Sequence, residues 1–316
     1  MNSPLVECIP NFSEARRPDV ISAIVNSISQ VNGILLLNTS SDLDHNRTVV
    51  TFVGPPKAVE EAAFRAIQTA SKLINLDEHT GSHPRLGAAD VVPFVPLSGV
   101  EMKECIQMAH HLGERVGLEL KIPVYLYESA ATRSDRVNLE DIRRGQYELL
   151  KTEIKSNPNR LPDYGPTMLG TAGATIIGAR YPLIAFNVYN SSGEVSIAKN
   201  IATASRNSSV GLVRYVKALG MLVDGMAQVS MNLTNFHQTP VHRVMEAIKR
   251  EAVNYGVSVH HSELVGLIPG EALQESAAWY LQLNDFDPAQ VLENRLWEVK
   301  NDSFSNGGFL DAVAAG

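Results

Sequence analysis

Two cysteines in 316 residues are too few for a disulfide framework, and that scarcity suits a reducing compartment. Cys8, in an apolar run, and Cys105, in a helical pattern, read as small buried side chains. No run of about 18 apolar residues occurs, so no membrane span is expected. The first eight residues lack the basic and apolar regions of a signal peptide. Lys and Arg number 27 against 34 Asp and Glu, for a net charge of -7. The basic residues form no stripe, which argues against a nucleic-acid partner. A soluble cytoplasmic protein is expected, with neither nucleic acid nor membrane as partner. Residues 165–178 are rich in glycine but lack the Gly-Lys-Ser/Thr ending of a phosphate loop, and they hold no Gly-x-Gly-x-x-Gly. His79 and His83 have the four-residue spacing of a helical metal pair, but Gly81 and Pro84 argue against a helix there. No metal is expected.

What is present is an ordinary globular composition, 44% hydrophobic and 19% charged, long enough for two domains. Apolar periodicity predicts strands over residues 5–9, 34–37, 48–53, 91–95 and 124–127. It predicts helices after Pro18, over 57–74 and over 102–119. Residues 10–13 read as a turn, 34–37 as a strand covered on both faces, and 38–47 as a polar loop. A second series follows: a strand at 183–189, a helix at 195–205, strands at 213–221 and 227–233 about the Asp224-Gly225 turn, a helix at 241–253, a strand at 258–264, and helices at 270–281 and 288–299. Each half reads strand-helix-strand-strand-helix-strand. That pattern is the α/β (α+β) ferredoxin-like βαββαβ unit, a mixed sheet with helices on one face. Two such subdomains are expected, 1–180 and 181–300, with a ligand cleft between them.

Two constellations could carry chemistry. His79-Thr-Gly-Ser-His-Pro-Arg-Leu-Gly-Ala-Ala-Asp90 places His79, His83, Arg85 and Asp90 on a glycine-containing loop ahead of a strand. A histidine there can take and return a proton near neutral pH. Asp42-Leu-Asp-His-Asn-Arg47 gathers Asp42, Asp44, His45, Asn46 and Arg47. It reads equally as a capped turn and as a site in which Arg47 holds a carboxylate. Arg133, Arg136, Arg143 and Arg144, interleaved with Asp135, Glu140 and Asp141, read as a solvated, ion-paired helix face. His110, His111, His260 and His261 read as structural.

Several stretches resemble the formiminotransferase family: Val6-Glu-Cys-Ile-Pro-Asn-Phe-Ser-Glu14, Asp44-His-Asn-Arg-Thr-Val49, Thr51-Phe-Val-Gly-Pro-Pro56, His83-Pro-Arg-Leu-Gly-Ala88, Asp163-Tyr-Gly-Pro166, Leu183-Ile-Ala-Phe-Asn187 and Glu263-Leu-Val-Gly-Leu-Ile-Pro269. The matches run in order through most of the chain. The resemblance implies transfer of a formimino group from N-formimino-L-glutamate to N5 of tetrahydrofolate, a step of histidine degradation, by a homodimer without metal. A formyl donor on the same fold and a non-catalytic folate-binding protein are the alternatives. The family's catalytic histidine falls at His83. Its folate segment falls at Tyr164, Gly165, Pro166, Thr167, Met168, Leu169, Gly170, Thr171, Ala172 and Gly173. His45, Asn46, Arg47, Arg85, Asp42, Asp44 and Asp90 are left to bind the donor or orient His83. Residues 301–316 resemble the opening of a cyclodeaminase domain, so a stand-alone transferase is expected, with the cyclodeaminase either a separate protein or lost.

Overall fold

A computed structural model describes residues 4–206 and 214–306. The tail segment 307–316 and the predicted strand start at Val213 lie outside the described residues. The chain divides into two compact units between Tyr181 and Pro182.

The first unit begins with β1 (Leu5–Cys8) and the two-residue β2 (Asn11–Phe12). Helix α1 (Pro18–Ser29) follows, with Pro18 in its first turn, where the missing N–H costs nothing. The hairpin β3 (Leu35–Asp42) and β4 (Arg47–Gly54) leads to α2 (Pro56–Leu73) and β5 (Ala89–Ser98). β3 pairs antiparallel with β4, β4 with β1 and β2, and these in turn with β5. Counting β1 and β2 as one interrupted strand, this is the βαββαβ order. Helix α3 (Met102–Arg115) ends in a π-helical turn, Val116–Leu120, and β6 (Val124–Glu128) follows. After the short α4 (Leu139–Ile142) and α5 (Gln146–Glu153), β7 (Thr175–Ala179) inserts parallel between β5 and β6.

Side-chain alternation along these strands feeds two cores. Val92, Phe94, Leu126 and Ile177 join Ile24, Ala63, Ile67 and Leu112 from α1, α2 and α3 in one. Val91, Tyr125, Tyr127 and Ile176 face the other way, onto Ile142, Leu150 and Ile154 from α4, α5 and the turn after it. The parallel strands are therefore covered on both faces, as parallel sheets require, and helices are not confined to one face in this unit. Fully buried aromatics such as Phe52 and Phe94 contribute about 1.5–3 kcal/mol each.

Three sequence expectations change. Residues 11–12 are a strand rather than a turn, because they continue the β1 ladder against β4 and β5. The apolar run at Leu35, Leu36 and Leu37 is 64%, 40% and 48% exposed, not covered on both faces. It lies on the edge strand β3, which pairs with β4 alone. Half of the expected polar loop 38–47 belongs to β3 itself and Arg47 opens β4, leaving only 43–46 as the turn.

The second unit is the simpler one: β8 (Ile184–Asn190), α6 (Val195–Arg206), β9 (Val216–Val223), β10 (Met226–Leu233), α7 (Val241–Asn254) and β11 (Val259–Val265). The sheet runs β11-β8-β10-β9, every pair antiparallel. Asp224 and Gly225 both have positive φ, 49° and 78°, the conformation of a tight Asp-Gly hairpin turn. Helices α8 (Gly270–Leu281) and α9 (Leu292–Asn306) complete the described chain. No described helix is long and apolar enough to cross a membrane.

Candidate active site

The site is assembled by three connections of the first unit. The β3–β4 turn comes first. Asp42 accepts the backbone N–H of His45 at 2.9 Å and contacts its ring Nδ1 at 2.7 Å. Burial pushes the Asp42 carboxyl up, but these two hydrogen bonds outweigh it and hold the group below its ordinary range. With a carboxylate on Nδ1, His45 keeps Nε2 facing away. Asn46 occupies the left-handed region at φ 49°, which asparagine tolerates. Its amide accepts from Ala15 N at 2.8 Å and donates to Thr80 O at 2.9 Å.

The loop after α2 is hung from this turn. Ser82 N donates to Asp44 O at 3.2 Å. A Cβ on Gly81 would lie 2.5 Å from His45 O, so only glycine permits this approach. His79 contacts Asn46 O through Nε2 at 3.2 Å and accepts from Arg85 Nε through Nδ1 at 3.2 Å. His83 then reaches Arg47, whose Nη1 lies 3.0 Å from His83 Nε2. An arginine can only donate. Nε2 is therefore the acceptor, and the imidazole is neutral with its proton on Nδ1. Burial first, then the charges of Arg47 and Arg143, push the His83 pKa down to about 2. The rings of His45 and His83 stand 6.2 Å apart at 69°.

The third connection is the glycine-rich stretch. Ala88 N donates to Ala172 O, Ala174 N to Leu86 O and Leu76 N to Thr171 O, at 2.8–2.9 Å. Gly173, at φ 71°, packs against the His83 loop so closely that a Cβ would lie 2.1 Å from Leu86 O. The two glycine-bearing loops are thereby stitched side by side. The glycine-rich stretch 165–178 is not all loop: from Thr175 it runs into strand β7 (Thr175–Ala179). At the other end, Tyr164 hydroxyl meets His110 Nδ1 at 2.9 Å, so His110 anchors the segment to α3. Met168 is 58% exposed, and Gly165, Thr167 and Gly170 are exposed beside it, with Pro166 and Leu169 half-buried.

Three expected donor-binding residues turn out to be engaged by the protein. Arg85 is buried and forms a fork onto Glu148 at 2.6 and 3.0 Å, with further bonds to Gln146 and His79. It therefore locks the loop to α5 and presents no free edge to a carboxylate. Asn46 has both amide atoms on backbone groups, as above. Asp90 is buried, accepts Leu86 N at 2.7 Å through one oxygen, and ion-pairs through the other with Arg143. Asp42, His45 and Arg47 remain around His83, while Asp44 is exposed and meets the loop through its backbone carbonyl on Ser82 N.

Arg143 was not legible in the sequence. It and Arg144 look alike there, yet their side chains are 14% and 76% exposed. Only the turn at the end of α4 decides which one points inward. Arg136 also leaves the expected solvated face, since it is buried against Asp163 at 2.6 Å. Both cysteines are buried and unpaired, and burial pushes the Cys105 thiol up to about 11, which leaves it unreactive. Among the described residues, no three His, Cys, Asp or Glu are grouped to hold a metal.

A neutral imidazole beside the Arg47 guanidinium, on the loops of an α/β sheet, is an arrangement that can exchange a proton next to a bound anion. Residues 5–180 match the formiminotransferase domain, N-terminal subdomain, and residues 185–295 match the formiminotransferase domain. The chain is 47% identical to a glutamate formimidoyltransferase of Thermoplasma acidophilum, over 94% of this chain and 99% of that one. It is 44% identical to one of Streptococcus pyogenes, covering 92% and 98%. A formimidoyltransferase-cyclodeaminase of Mus musculus is 44% identical over 88% of this chain and 52% of that one. The chain belongs to the formiminotransferase family.

Proposed function

We propose that this chain is a one-carbon transferase that moves the formimino group of N-formimino-L-glutamate to N5 of tetrahydrofolate, giving 5-formiminotetrahydrofolate and L-glutamate. The observation that carries the reading is His83: an uncharged imidazole whose Nε2 lone pair faces Arg47, in a chain of this family. Two protons must move in the reaction. The attacking amine loses one and the departing glutamate nitrogen gains one. His83 Nε2 accepts the first and returns it as the second.

Arg47 holds a donor carboxylate. The Asp42–His45 pair orients the cationic formimino group, and Asp44 lies at the rim. Arg85, Asn46 and Asp90 act one step away, by fixing the loops and Arg143. The segment Tyr164–Gly173 receives the folate. Its exposed stretch at 165–170 beside the His83 loop supports that role, as do the backbone bonds that join the two loops. The apolar edge at Leu35–Leu37 supports a homodimer, since an uncovered apolar edge strand invites pairing. We take residues 1–180 and 181–300 as the two subdomains of a cytoplasmic enzyme of histidine degradation that needs no metal.

The test is an absorbance assay with formiminoglutamate and tetrahydrofolate. His83→Ala is expected to lower kcat roughly 10²–10⁴-fold, the usual scale of acid–base assistance, with folate affinity by calorimetry unchanged. Wild-type turnover in the variant would overturn the assignment.

A further inference from the structure

The charges around His83 do not balance. His83 faces Arg47 from β4, Asp42 and His45 from the β3–β4 turn, and Arg143 from the end of α4. Asp90 of β5 faces both arginines. Asp42 is engaged by His45 and Asp90 by Arg143. Arg47 forms no ion pair among the described residues; its side chain hydrogen-bonds to the uncharged His83. Two further donors are orphaned: the Nε atoms of Arg47 and of Arg143 are both buried with no hydrogen-bond partner. A buried donor without a partner carries a desolvation cost. Two such donors, with Arg143 near enough to disfavour the charge of Arg47, are what an anion lodged between them would satisfy.

The free site also has a chemical fault. The Arg47 N–H occupies the lone pair that the base must use. A base works best when its affinity for the proton is matched to working pH, and His83 lies far below that match. An anion between the arginines corrects both faults.

We propose that Arg143 and Arg47 together form a two-guanidinium seat for one carboxylate of the donor, and that the seated carboxylate takes the Arg47 hydrogen bond from His83 Nε2 and so releases the base. This rests on the formimino-transfer reading and extends it. The donor's own charge becomes the switch, so the base is armed only when donor is bound. Arg143 becomes a specificity residue for acidic donors.

The experiment is NMR titration of protein labelled in its histidines, alone and with L-glutamate, L-glutamine or isoglutamine. Each amide lacks one of the two carboxylates. L-Glutamate is expected to move the His83 titration upward by more than about one pH unit, and the amide that lacks the seated carboxylate is expected to leave it in place. Arg143→Gln and Arg143→Lys are expected to lose most of that response. They should also raise KM for formiminoglutamate roughly 10–100-fold, the scale of a lost charged hydrogen bond, with a smaller effect on kcat at saturating donor. Arg143→Lys keeps a cation for Asp90, and Asp90→Asn with Arg143→Gln removes both charges, so the test stands if Arg143→Gln alone does not fold. A His83 titration unmoved by glutamate, or a full response in Arg143→Lys, overturns the seat. Transfer activity with an unmoved His83 refutes the seat and leaves the function standing. A glutamate response without any formimino transfer refutes the function and leaves the seat.

Discussion

The two units share one strand order and use it differently. In the first, Glu14, Arg85, Asp90 and Arg136 are charged and buried. In the second, the buried polar side chains among the described residues are Asn190, Ser205, Gln228, Thr239 and His242, none of them an Arg, Lys, Asp or Glu. Burying a charge is costly unless it is paired, and each of the four in the first unit has its partner. Apart from Asp90, at the start of β5, and Glu148 of α5, the members of those pairs lie in the connections. The lesson is that topology supplies the platform, while the loops that close over it carry the electrostatics.

The comparison can be broken by disturbing the stitching in the first unit. Gly173→Ala introduces a Cβ 2.1 Å from Leu86 O at a residue with φ 71°. The left-handed backbone alone costs about 1–2 kcal/mol for a side-chain-bearing residue, and the clash adds to it. The expected outcome is a loss of at least about 2 kcal/mol in denaturant unfolding, together with lower turnover. Wild-type values for both would show that the loops are not held by this contact.

A smaller effect tests the electrostatics. The His83 pKa is lower in the folded protein than the ordinary 6.5, at about 2. Between those values the unfolded chain binds the extra proton. Folded stability at this site is therefore full above about pH 6.5 and falls as pH falls, by up to about 1.4 kcal/mol per pH unit. His83→Gln is expected to flatten the acid limb of a melting-temperature profile. An unchanged slope would place His83 in a wetter setting than the structure shows.

The smallest effect is expected in the second unit. His242 is buried, stacks on Trp279 at 4.8 Å, and its Nδ1 has no partner. Burial pushes its pKa down. Replacing an unsatisfied polar ring with an apolar one of similar shape is near neutral or stabilising. His242→Phe should change stability by less than about 1 kcal/mol and leave turnover alone. A large loss of activity would mean that the second unit also holds a working polar group.

Much of this protein was determined by its sequence alone. Strands, helices and the two βαββαβ series follow from apolar periodicity, because burial acts on every residue of a long element at once. The Asp224-Gly225 turn follows from backbone sterics local to two residues. His83 and Arg47 were legible as candidates because Pro84 and the glycines around the first, and the polar run before the second, are local signals too. Other features were decided only in three dimensions. The exposed Leu35–Leu37 edge looked like a buried strand, since a sequence does not say which strand lies outermost. Arg85 looked free until α5 brought Glu148 against it. Arg143 could not be told from Arg144 until Asp90, 53 residues away, chose between them. Local conformational energies are written in neighbouring residues. The pairing of buried charges depends on residues that only folding brings together.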